Sequence, residues 1–300
     1  MSLELGNATV ISEIERIRMV GSAFHKTGRP VALVPLTTGV HAGHIALVRA
    51  AKHIRGAVTV VALQSPREED LELLRAEGVD IVWDYSPESL WPHGRRIAVT
   101  PADAATILEP HLSEDLTLYL ALILTLSPTD VLFGEKDYEL LLAIHHAAQD
   151  FHLGVRVQGV PAVRMPDGVV MSLRNTNVPA ESRDQVAALS AALTAGAHAA
   201  EAGADKVREV AAEVLRAAGV EPEYLEVRGR DLGTPPEEGD ARLLVAATIG
   251  GVRLIDNVGL PLGIGFNNIK EHEAKAELER EQQREQQRAQ DADFQQLSED

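Results

Sequence analysis

Three hundred residues, 45% of them hydrophobic and 24% charged, suffice for a buried core and suggest two domains. A formal net charge of −17 argues against a nucleic-acid partner, which needs a basic surface, though a nucleotide site needs only a few local cations and N–H groups. The absence of cysteine excludes disulfides, thiolate zinc sites and cysteine nucleophiles. With no basic-then-apolar leader and no apolar run of roughly 20 residues, a cytoplasmic protein without membrane contact is expected.

Strand and helix signals alternate through the first half. Val31–Pro35 reads as a buried strand, and His44–Ala51 follows with helical character. Ala57–Leu63 is a second strand, 69–77 a helix stopped by Gly78, and Val79–Trp83 a third strand. Residues 117–126 read as a helix up to Pro128, Asp130–Gly134 as a strand, 138–151 as a helix and 155–160 as a strand. Continuous apolar strands alternating with amphipathic helices imply a parallel sheet covered on both faces, hence a Rossmann-like, doubly wound α/β domain over residues 1–164. Beyond about residue 165 two Ala-rich helices, 182–202 and 205–218, precede strands at 224–227, 241–247 and 252–257. That segregation suggests a smaller α+β domain over residues 165–270. The tail, 271–300, is rich in Glu, Gln and Arg, with Leu278, Phe294 and Leu297 as its large apolar residues. Such a segment reads as a solvated helix or a disordered tail.

Three motifs carry chemistry. Gly39-Val40-His41-Ala42-Gly43-His44 joins the first strand to its helix, so two imidazoles and free helix N–H groups share one end, an arrangement that suits a polyphosphate. Gly43, lacking a Cβ, would let the backbone approach the nucleotide. Phe133-Gly134-Glu135-Lys136-Asp137-Tyr138 ends a later parallel strand, where ligands bind in open α/β sheets. Lys136 offers a point charge for phosphate and Asp137 an acceptor for a ribose hydroxyl. Met171-Ser172-Leu173-Arg174-Asn175 supplies a hydroxyl and a guanidinium for the β/γ-phosphates. Each is weak alone, and their strand–loop–helix context gives them weight. His145, His146 and His152 lack metal-ligand spacing and read as solvated helix residues.

In this order the three motifs resemble pantothenate synthetases, within the wider group of HxGH nucleotidyltransferases. The resemblance runs from about Val31 to Asn257 and is best from Phe133 to Asn175, with Asp256-Asn257 fitting the family's late strand. It implies a ligase that adenylates pantoate with ATP and passes the acyl group to β-alanine, assisted by Mg2+, usually as a homodimer with a C-terminal lid. It further implies that His41 and His44 contact the phosphates and that Lys136 neutralises charge in adenylation. Gly134 and Asp137 would lie by the ribose, Val163 would offer backbone to adenine, and Ser172 and Arg174 would close over pyrophosphate. Asp70 would belong to the magnesium region.

The acid side departs from the family's pattern. Pro35-Leu36-Thr37-Thr38-Gly39 stands where Pro-Thr-Met-Gly is expected, and Leu63-Gln64-Ser65-Pro66 runs directly into Arg67, without an Asn-Pro-x-Gln-Phe segment. Leu140 occupies the place of a second glutamine, His111-Leu112-Ser113-Glu114-Asp115 replaces His-Phe-x-Gly-Val, and Ser172-Leu173 replaces paired serines. Losing two amide contacts would weaken pantoate in the usual pose by about two orders of magnitude, at roughly 1–3 kcal/mol each. Three readings therefore stand open: a divergent pantoate–β-alanine ligase, a relative that adenylates a less polar carboxylate, and a non-catalytic nucleotide-binding protein.

Overall fold

The computed structural model describes residues 5–103 and 107–264; the 271–300 tail lies outside the described residues. The chain opens with two elements the motif reading passes over, strand β1 (Thr9–Ile11) and helix α1 (Ile14–Lys26). β2 (Val31–Pro35), α2 (Ala42–Lys52), β3 (Val58–Gln64), α3 (Glu68–Ala76), β4 (Ile81–Tyr85) and the short α4 (Pro87–Leu90) follow. α5 (Leu112–Leu126), β5 (Asp130–Gly134), α6 (Tyr138–Asp150) and β6 (Arg156–Val160) complete the first half. Its six strands are all parallel, in the order β1-β4-β3-β2-β5-β6.

Boundary shifts have local causes. Val79 was expected in a strand, but its N–H bonds Leu74 O while the N–H of Gly78 (φ +66°) bonds Arg75 O. This Schellman cap ends α3 and delays β4 to Ile81. α5 starts five residues before the expected 117, because Glu114 and Asp115 in its first turn suit the positive end of the helix. α1 lies against α5 so closely that a Cβ on Gly21 would stand 1.9 Å from Leu126 O; only glycine fits there.

Alternation along the strands builds two layers. Leu33, Val60 and Trp83 face α1, α5 and α6, packing with Ile17, Leu122 and Ile144. Ala32, Val34, Val61 and Val82 face α2 and α3, packing with Leu47, Val48 and Leu74. The second half contributes α7 (Arg183–His198), α8 (Ala204–Ala217) and an antiparallel sheet of β7 (Tyr224–Gly229), β8 (Gly239–Ile249) and β9 (Val252–Leu262). The expected helix over 182–202 ends at His198, and a 3-10 turn leads to Gly203 at φ +88°. β8 and β9 are longer than expected because Gly250 and Gly251, at φ +57° and +80°, make a two-residue hairpin turn that pairs Ile249 with Val252. Leu193, Ala211, Leu243 and Val245 form its core.

Sheet order reverses at β2: the chain moves outward through β3 and β4, then returns to place β5 on the other side. The carboxyl ends of β2 and β5 therefore flank a topological switch point, where open parallel sheets bind ligands.

Candidate active site

The loop after β2 starts α2 with His41 as N-cap, its Nδ1 accepting the Gly43 N–H at 3.0 Å. That bond fixes a tautomer: Nδ1 carries the lone pair, so Nε2 holds the proton. His44 takes the opposite tautomer when neutral, because its Nδ1–H donates to Gly39 O at 3.1 Å. The rings stack with centroids 3.7 Å apart. Burial and then neighbouring His41 push the His44 imidazole down to about 4; burial and then Lys136 lower His41 as well. Both are therefore neutral at pH 7, and an arriving triphosphate would favour their protonation. Gly43 serves His41 directly: a Cβ there would lie 2.8 Å from the ring, so glycine is what lets the N-cap imidazole fold over the helix start.

His41, Gly43, His44, Gly134, Lys136, Asp137, Val163, Ser172 and Arg174 all line one cavity of about 230 Å³. A Cβ on Gly134 would project into space with no atom within 4 Å, leaving room beside the strand end. Lys136 pairs with Asp137 at 3.4 Å, with only 16% of its side chain exposed. The Val163 carbonyl accepts the Met171 N–H at 2.8 Å, which fixes this backbone at the cavity wall. Ser172 Oγ accepts from Arg174 N at 3.2 Å, freeing the hydroxyl proton and starting the short turn that holds Arg174.

The second sheet supports this loop, a part of the site that motif reading did not weigh. Asn257 on β9 donates its amide hydrogens to Glu135 O (3.0 Å) and Lys136 O (2.8 Å), and its Oδ1 accepts from Arg242. Arg242 also meets Glu135 at 3.3 Å and lies 3.6 Å from the Tyr138 ring centroid. Arg164 grips Asp256 through two bonds of 2.7 and 2.9 Å. The backbone that presents Lys136 thus hangs from the antiparallel sheet. Asp256-Asn257 was the available sequence signal, but only register could show which backbone it reaches.

Asp70 is engaged elsewhere. It is buried at 1% exposure; Oδ1 accepts from Val40 N (2.8 Å) and Arg67 Nη2 (3.4 Å), Oδ2 from Arg67 N and Nε. Despite its burial, these bonds hold the carboxyl below the usual range. With both oxygens taken it does not fit a direct magnesium ligand; it tethers α3 to the loop before His41. Among the described residues no group of three or more His, Asp or Glu side chains converges as a metal cage.

The acid side is apolar where the family pattern expects amides. Leu36, Phe133 and Leu140 line the cavity, and Leu173 reaches across it until its Cδ1 lies 2.9 Å from an ideal Cβ on Gly39.

A switch-point cleft carrying imidazoles, a lysine and an arginine at a helix N-terminus defines a Rossmann-like nucleotide-binding enzyme. Sequence comparison places it more narrowly: residues 9–259 match the model of the pantoate-beta-alanine ligase family. The chain belongs to that family. It is 43% identical to the pantothenate synthetase of Corynebacterium jeikeium, over 90% of this chain and 96% of that protein. It is 39% identical to that of Mycolicibacterium vanbaalenii, over 86% and 90% of the two chains. The solved pantothenate synthetase of Thermus thermophilus superposes with a TM-score of 0.75 at 28% identity, covering 83% of this chain and 98% of that one.

Proposed function

We propose that this chain is an ATP-dependent pantoate–β-alanine ligase. A pantoate carboxylate oxygen attacks the α-phosphorus of ATP, the bond to pyrophosphate breaks, and pantoyl adenylate forms. The amine of β-alanine then attacks the acyl carbon, AMP leaves with the bond's electron pair, and the ammonium proton is lost to solvent. The observation that carries this reading is the sharing of one cavity by His41, His44, Lys136 and Arg174. The imidazoles, whose protonation the triphosphate would favour, and the two cations would oppose charge developing on the phosphates. No covalent intermediate with the protein is needed; positioning and charge stabilisation carry the rate. Gly134, Asp137 and the Val163 backbone would face the nucleoside, and Ser172 would accompany Arg174 over the leaving pyrophosphate.

Magnesium would enter on the phosphate oxygens, as that ion commonly does, and no step is assigned to a protein-bound ion. Residues 1–164 would form the nucleotide domain and residues 165–270 a lid, in a cytoplasmic homodimer. Among the described residues no helix is long and apolar enough to cross a membrane.

Pyrophosphate release with purified protein, ATP, magnesium and a panel of carboxylic acids tests the reading. Release with pantoate, followed by an amide product with β-alanine, is expected. A second reading keeps the chemistry and changes the acid: Leu140 and Leu173 line the cleft and favour a less polar carboxylate. Release only with such acids would establish it, and silence with every acid would refute both.

A further inference from the structure

The cavity that holds the histidines does not end at the acid side. A second one, of about 510 Å³, opens beside it, and the two share Thr37, Tyr119, Lys136, Asp137, Leu140 and Arg174. Tyr119 stands on α5 with 8% of its surface exposed, its ring edge-on to Phe133 at 5.2 Å. Among the described residues its hydroxyl has no hydrogen-bond partner, and it is not among the sealed polar atoms, so it opens onto the cavities the ring lines. A hydroxyl that opens onto a cavity with no protein partner has its donor and acceptor capacity available to a ligand's polar group. Burial and then Tyr85 raise its pKa far above neutrality, so it stays a phenol able to donate and accept.

Charge around the junction orients an incoming acid. Lys136 and Arg174 stand at the shared wall with Asp137, which pairs with Lys136 at 3.4 Å, while Asp115 lines only the second cavity. A substrate carboxylate is drawn to the cations and repelled by Asp115, which turns the remainder of the molecule toward Tyr119 and Leu140. Leu140 can offer that remainder no hydrogen bond; Tyr119 can.

We propose that Tyr119 is a specificity-determining residue of the acid subsite, its hydroxyl pairing with a hydroxyl of a short, branched hydroxy acid in place of the absent amides. The assignment rests on the ligase reading above and adds the group that makes a hydroxy acid preferred. The experiment compares Tyr119→Phe with wild type on pantoate and on 3,3-dimethylbutanoate, the same skeleton without hydroxyls. Pyrophosphate release gives kcat/KM, and calorimetry with a non-hydrolysable ATP analogue bound gives Kd. Wild type should prefer pantoate, and Tyr119→Phe should shrink that preference about tenfold by selective loss on pantoate, with KM for ATP unmoved. A merely structural role would lower both acids together, which would overturn the assignment, as would an unchanged preference. A wild type that uses pantoate while the variant's preference stays fixed refutes only Tyr119. A wild type that neither binds nor uses either acid refutes the ligase reading with it.

Discussion

Two walls of one cleft are built on different terms. On the nucleotide wall nearly every group has its geometry set by a bond to the protein: His41 by Gly43 N, His44 by Gly39 O, and the Lys136 backbone by Asn257. On the acid wall Leu36, Leu140 and Leu173 offer shape without direction, and Tyr119 brings a hydroxyl with no protein partner among the described residues. Holding a triphosphate demands preorganised donors, since reorganising them during reaction would forfeit the stabilisation they give. An apolar pocket discriminates weakly by size and strongly only where a polar group waits for a partner. The contrast teaches that a conventional nucleotide half can be coupled to an acid half with its own recognition chemistry.

Breaking the nucleotide wall should cost most. His44→Ala should reduce the pyrophosphate-release kcat by about 10²–10³ for any acid, the usual cost of losing one preorganised donor; turnover at the wild-type rate would remove the loop from the mechanism. Asn257→Ala reaches the same wall indirectly. It frees the carbonyls of Glu135 and Lys136 and takes one of Arg242's two acceptors, so kcat should fall about tenfold for all acids alike, at roughly 1–3 kcal/mol for the lost bonds. Equal kinetics in wild type and variant would show that β9 does not position Lys136.

Leu140→Gln sharpens the comparison from the other wall. Returning an amide to the acid side should lower KM for pantoate by up to about tenfold and leave KM for ATP unchanged. Asp70→Asn separates tether from metal ligand. Thermal unfolding should show a loss of about 1–3 kcal/mol, while the magnesium concentration giving half-maximal rate stays put. A large rise in that concentration would restore Asp70 to the metal.

The smallest effect is a titration. In the free protein His44 should titrate near pH 4, below the ordinary imidazole range, because burial and His41 disfavour its charged form. A folded-state value below the unfolded one means the unfolded chain binds more protons between about pH 4 and 6.5, so His44 makes stability fall as pH drops through that window. Bound triphosphate should move the NMR titration upward, and a downward shift on binding would contradict the contact.

Much of the nucleotide wall is legible in the amino-acid order alone. Buried strands ending in Gly39–His44 and Gly134–Asp137 state both the parallel sheet and its carboxyl-end loops, because local periodicity and glycine placement encode them. β1 escaped because a three-residue strand carries little periodic signal, whereas α1, with Ile14, Ile17, Val20 and Phe24 at helical spacing, was legible and lay outside the motifs that drew the reading. Asp70 was assigned to the magnesium region from the family resemblance alone, and its tether to Val40 N and Arg67 N could be seen only in the fold. Tyr119 was invisible as a site residue because its apolar helix reads as core, and only the fold opens its hydroxyl onto the cleft.

The most direct test is a crystal structure of the protein with a non-hydrolysable ATP analogue. The account predicts a single triphosphate within hydrogen-bond reach of His41 or His44, Lys136 and Arg174 together. A triphosphate bound elsewhere, or touching the histidines while Lys136 and Arg174 remain turned away, would contradict it.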